Sequence, residues 1–121
     1  MSQEFKILDI SRVADATITI GQIIKITSTG CDVATANSDA IIGVAMTAAS
    51  SGDMVTIRVA GAARVQASAA ITVGDRVTAT TAGQAVTDTT DKHGILGRAL
   101  ETASAQNDLI AVLIQPYTLS V

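Results

Sequence analysis

The chain has 121 residues and a formal net charge of −3, with 48% hydrophobic, 16% charged and only 2% aromatic residues. One core must account for a chain of this length, and neither a basic face for a phosphate backbone nor aromatic platforms for bases or sugars can be assembled from it. Val, Ile and Thr make up about a third of the residues while Leu, Glu and Lys are scarce, which favours strands and excludes a helical bundle.

Residues 4–14, EFKILDISRVA, hold the only Phe and a short apolar series, Phe5, Ile7, Leu8, Ile10 and Val13. Its spacing fits neither helix nor strand cleanly, so residues 1–16 are read as an extended N-terminal arm. Glu4, Lys6, Asp9 and Arg12 interrupt this segment, which therefore lacks the apolar run of a secretory signal. No stretch approaches the run of about 18 apolar residues that a membrane span needs. A soluble protein of a reducing compartment is expected.

From Thr17 onward the pattern changes to short segments of period two: TITI at 17–20, IIKIT at 23–27, AIIGVAM at 40–46, MVTIRVAG at 54–61, ARVQA at 63–67, RVTAT at 76–80, QAV at 84–86, GILGRAL at 94–100 and LIAVLI at 109–114. Clusters such as STG, SSGD, TAG and SAQND separate them and supply turn chemistry. Residues 17–121 are expected to form a single all-β domain, a small antiparallel β-barrel or tulip-like sandwich.

The domain repeats itself. At an offset of 53, ITIGQIIKITSTGCDVA from Ile18 matches ITVGDRVTATTAGQAVT from Ile71, with identities at Ile18/Ile71, Thr19/Thr72, Gly21/Gly74, Thr27/Thr80, Gly30/Gly83 and Val33/Val86. At an offset of 54, IIGVAMTAAS from Ile41 matches ILGRALETAS from Ile95. Two duplicated units, residues 18–60 and 71–115, are therefore expected to wrap around one core, since neither could bury its apolar face alone. Alternation places Val55, Ile57 and Val59 on one face of their strand and Thr56 and Arg58 on the other. LIAVLI is apolar on both faces, so Leu109, Ile110 and Leu113, with Tyr117 beyond them, are candidates for contact with another subunit. The tail QPYTLSV, through Pro116 and Tyr117, is expected to pack against the barrel or that subunit.

No constellation for catalysis emerges. His93, with Asp88, Asp91 and Lys92, reads as a polar loop, and no Ser stands in a G-x-S-x-G elbow. Cys31 lies beside Asp32, which disfavours a thiolate. With one Cys and one His, neither an intrachain disulfide nor a common zinc-ligand set is available, and no metal or cofactor is expected. Asp39, Asp53, Asp75 and Asp108 stand close to strand entrances and read as turn caps, the alternative being a calcium site shared at a subunit junction. No phosphate-cradling glycine motif occurs.

In order along the chain stand Ile42 to Ala45, Gly52 with Asp53, then Val55, Ile57 and Val59; next Ala70 with Ile71, Gly74 with Asp75 and Val77, Gly83 with Ala85 and Val86, and Ile95 with Gly97 and Ala99. This succession resembles the capsid cement, or head decoration, proteins of tailed bacteriophages. Arg98, where the first copy has Val44, departs from the pattern and must point outward or find an acid.

The resemblance implies a structural virion protein, made in the host cytoplasm, that binds the outside of the expanded phage head as a homotrimer and clamps the major capsid protein. The apolar residues of the arm would contact the capsid. Nucleic acid, membrane and small-molecule substrates are not expected partners. A receptor- or glycan-binding module of a virion tail or fibre is the alternative, for which Phe5 and Tyr117 are the available aromatic platforms; a small hydrolase using His93 is a third reading.

Overall fold

The structure, a computed structural model, describes residues 5–35, 41–80, 83–87, 94–105 and 108–118. Among these residues nine strands follow in sequence: β1 (Phe5–Val13), β2 (Ile23–Ile26), β3 (Cys31–Val33), β4 (Ile41–Ala45), β5 (Met54–Gln66), β6 (Arg76–Thr80), β7 (Gln84–Thr87), β8 (Gly94–Ala99) and β9 (Leu109–Thr118). All strand pairs are antiparallel. They form one sheet in the order β3-β2-β4-β5-β9-β8-β6-β7, with the N-terminal arm, β1, laid along β5. Side chains branched at Cβ favour this extended backbone. Glycines with φ of 88° and 90°, Gly21 and Gly74, turn the chain at matching places before β2 and β6.

The pairing scheme runs twice. In a first unit β1 pairs with the N-terminal part of β5, with Val13 opposite Met54 and Ile10 opposite Ile57. In a second unit the C-terminal part of β5 pairs with β9, with Gln66 opposite Leu109 and Ala63 opposite Val112. The turns match as well: Ala14 N donates to Asp53 O as Ala67 N does to Asp108 O, and Gly21 N to Ala45 O as Gly74 N does to Ala99 O. The arm thus occupies in the first unit the place that the second half of β5 occupies in the second. One register differs from the sequence alignment. Ile24 faces Val33 as Val77 faces Thr87, so Val33 corresponds to Thr87, not Val86; the second turn carries the extra residue.

A closed barrel is not formed. The thirteen-residue β5 ends one unit and begins the next, which joins the units in the middle of one sheet and leaves β3 and β7 at its ends. Each end strand returns to its own unit through a single parallel bridge, Ala14 to Cys31 and Ala67 to Ala85, which is too little to make a closing ladder.

Two apolar clusters result. The larger gathers the second unit's Ala63, Val65, Ile71, Val77, Leu96, Ile110, Val112 and Ile114, and takes in Ile23, Ala34, Ile41 and Val44 from the first. The smaller holds Ala14, Ile18, Ile24, Cys31, Ala45, Val55 and Ile57, with Ile10, Val33, Ile42 and Val59 at its margin. β5 therefore serves both: Val55 and Ile57 face the smaller cluster, Ala63 and Val65 the larger. Between them Gly61 adopts φ 114°.

Gly43 lets β4 cross close to β5. A Cβ there would meet Arg58 O at 2.1 Å and Arg58 C at 2.9 Å, both backbone atoms. Gly52, by contrast, has φ +91° and open space around it. Gly43→Ala is expected to cost roughly 1–3 kcal/mol or more through forced strand separation, and more than Gly52→Ala, whose cost is limited to backbone strain. Urea denaturation of both variants measures the difference; equal costs would contradict the close-approach argument.

Candidate functional site

The candidate surfaces are the arm and the outer face of β9. Arg58 lies across from Asp9 in the β1–β5 ladder, and its Nε donates to Asp9 Oδ1 at 3.1 Å. Both side chains are largely buried. Arg58 Nη1 also donates to Ala62 O at 3.1 Å, so the guanidinium ties β1 to the middle of β5. At the far end of the arm, Arg12 donates from Nε to Gly30 O at 2.9 Å and from Nη2 to Thr27 O at 3.3 Å. Asp15 accepts from the hydroxyls of Thr27 and Thr29. Gly30 must lack a side chain here, because a Cβ would meet Val13 O at 2.0 Å. These contacts clamp the end of β1 onto the turn between β2 and β3.

The arm's apolar residues divide. Leu8 is 51% and Val13 39% exposed, while Ile10 is partly buried against the smaller core. Phe5 and Ile7 lie in β1, and their side chains fall outside the described part. On β9, Leu109 is 58% exposed and Leu113 half-buried, but Ile110 is 2% exposed inside the larger core. Strand alternation turns Ile110 inward with Val112 and Ile114. Tyr117 stands opposite Ile95 in the β8–β9 ladder, and its side chain is again outside the described part. A groove of about 250 Å³ between the units is lined by Thr19, Ile20, Gly21, Gln22, Gln66, Gly83, Gln84 and Leu109.

Three of the four carboxylates read as turn caps accept from amides of their own turns, and Asp75 reaches β7 as well. Asp53 accepts from Ser50 N, Asp75 from Thr72 N and the Thr87 hydroxyl, and Asp108 from Ser104 N and Ala105 N. Asp39 and His93, with Asp88, Asp91 and Lys92, lie outside the described residues. Among the described residues no group of three or more His, Cys, Asp or Glu side chains is placed to hold a metal ion. Cys31 is buried, and desolvation, with the Asp15 charge second, pushes its thiol up, away from the reactive thiolate. Arg98 points outward and finds a carbonyl, Gly74 O at 2.9 Å.

The arm clamp escaped the sequence reading. Arg12 and Asp15 are short-range neighbours whose partners lie in a turn more than ten residues away, and no motif announces that meeting. Arg58 carried a signal, a lone charge in a Val/Ile alternation, although its acid had to be found through the β1 register.

The sequence profile of phage cement proteins matches residues 2–114, nearly the whole chain. The chain belongs to the phage cement protein family. Among solved structures, this cement protein is similar to the head fiber gp8.5 N base of bacteriophage phi29, with a TM-score of 0.69 and 21% identity over 89% of this chain and 93% of that one. At that identity the likeness speaks for the fold. No curated protein matches it. The cement protein is a structural, virion-associated phage protein.

The clamp on the arm makes a pH prediction. The Thr27 and Thr29 hydroxyls, and less strongly the Arg12 charge, hold the Asp15 carboxyl below its ordinary value. Because its folded value is depressed, Asp15 stabilises the fold above the ordinary carboxylate range, and that contribution fades as pH falls through the range and past the folded value. The cement protein is expected to be more stable than Asp15→Asn at neutral pH and to converge with it in acid. Chemical denaturation of both proteins across pH measures this; a constant gap between them would refute it.

Proposed function

We propose that the cement protein docks on the outside of the expanded phage head as a homotrimer and stabilises the lattice of the major capsid protein. Family membership over residues 2–114 carries this reading. The exposed apolar residues of the arm, Leu8 and Val13, supply capsid contacts along an edge strand, where backbone hydrogen bonding and side-chain pockets act together. Phe5, Ile7 and Ile10 belong to the same strand. Three copies held together engage three sites at once, so modest contacts add through effective concentration. A ligand that binds the assembled shell and not free subunits stabilises the shell by mass action.

A second reading has its own support. Likeness to a head fiber base supports a module that belongs to a virion fibre; receptor or glycan binding is the task this reading proposes for it. The fold comparison speaks for this reading more directly than for the first.

Because β1 is woven into the sheet, point variants test docking better than deletion of the arm. Leu8→Glu and Val13→Glu are expected to lower occupancy on purified expanded heads about tenfold or more, the order that follows from losing one buried aliphatic side chain per site. Heads carrying the wild-type protein should release capsid subunits at a higher temperature than bare heads. Undiminished occupancy by both variants would remove the arm from the mechanism. Absence of binding to heads, with binding of the isolated protein on a glycan array, would favour the fibre module.

A further inference from the structure

The two units share a pairing scheme and differ in what covers their cores. Across the first unit's sheet a row runs through Ile23, Val44, Arg58 and Asp9, each opposite the next. The corresponding row of the second unit is Arg76, Arg98, Leu113 and Ala62. The first half of this row is inserted: Ile23 and Val44 are buried in the larger core, with Ile41 beside them, and β4 touches β8 and β9 without pairing to either, while Arg58 and Asp9 pair with each other. Of the second row Arg98 is exposed and Arg76 and Leu113 are half-buried, while Ala62 is fully buried. The Arg98 guanidinium is turned onto Gly74 O, which leaves its aliphatic stem on this face.

The receiving side shows the reverse. In the second unit Ala63, Ala79, Leu96 and Ile114 are buried in the core that accepts the first unit's row. Their counterparts in the pairing scheme of the first unit are Ile10, Ile26, Ile42 and Val59. Ile10, Ile42 and Val59 are only partly buried, and Ile26 is 43% exposed where Ala79 is 2% exposed. Every hydrophobic side chain grouped in the smaller core among the described residues comes from the first unit itself. Its mouth is larger in side chain and less covered than the mouth that is filled.

We infer that this mouth, rimmed by Ile10, Ile26, Ile42 and Val59, is a docking site for a second copy of the chain, which inserts its Arg76–Arg98–Leu113 row. The occupant follows from continuity with the contact inside one chain. There, a face of one unit meets the mouth of the other, a heterologous contact that uses one face and one mouth and leaves one of each. Copies that repeat it associate head to tail, and the series closes into a ring if the rotation per copy permits. Aliphatic side chains at the rim supply apolar area, and Arg is a residue enriched in such contacts. The inference rests on the self-association in the proposed function and names the surfaces that make it.

Light scattering on the isolated protein tests it without phage heads. The wild type is expected above the mass of one chain. Ile26→Glu, which spoils the mouth, and Arg98→Asp, which removes the stem and reverses the charge on the face, should each lose all mass above one chain while keeping the wild-type circular dichroism. If Ile26→Glu does not fold, Ile26→Ser takes its place. Mixing decides the geometry: the mouth variant keeps its face and the face variant keeps its mouth, so the mixture should form a two-chain complex. A wild type that stays at one chain overturns the inference and self-association together. A wild-type oligomer that survives both substitutions, or a mixture that remains at one chain, overturns the head-to-tail surfaces alone and leaves the capsid reading to its own head-binding test.

Discussion

β5 is hydrogen-bonded to β1, β4 and β9, and the rest of the molecule hangs from those three ladders. A thirteen-residue strand is too long for one unit of this size, and here it is divided between two. Its first half closes the first unit and its second half opens the next. Gly61 stands at the change of function: with φ 114° it takes a conformation that a residue with a side chain reaches only under strain, and the strand passes from one core to the other there. The chain thereby gains two related units without a linker between them.

Small residues make the arrangement workable. Ala is abundant in both clusters, and aliphatic side chains fill them without aromatic bulk, so strands approach closely where Gly30 and Gly43 leave no room for a Cβ. Close packing of this kind is intolerant of added atoms. Charge is sparse, and two arginines bind the arm: Arg58 through Asp9 and Arg12 through the 27–30 turn. What remains outside is a set of separated apolar residues, Leu8, Val13, Ile26 and Leu109 among them, on a scaffold with no catalytic constellation among its described residues. Such a surface suits a structural virion protein, whose work is done by contact area repeated over many copies.

Sequence reasoning reached the all-β class and the N-terminal arm from β-branched composition and period-two segments; the single core it expected is divided into two apolar clusters on either half of β5. It placed Val55, Ile57 and Val59 on one face of their strand and Thr56 and Arg58 on the other; Val55 and Ile57 are buried in the smaller core and Val59 lies at its margin. It read Asp53, Asp75 and Asp108 as turn caps because short carboxylates near strand entrances bond to local amides, an interaction that needs no distant partner. Its candidate Ile110 is buried in the larger core, because a strand apolar on both faces does not declare which face is covered.

The sequence by itself determined what depends on near neighbours in the chain: which segments are extended, where the turns fall, and that two stretches are alike. The tertiary structure alone decided which like stretch covers the other. Two units with the same pairing scheme have the same local preferences, so their own residues do not dictate whether the sheet closes into a barrel or runs open through β5. That choice is made by side chains meeting across the sheet, Ile23 and Val44 seated in the second core and Arg76 and Arg98 left facing outward at the equivalent places. The isolated departure of Arg98 from Val44 was visible in the sequence, and its meaning came only with the row of residues on either side of it.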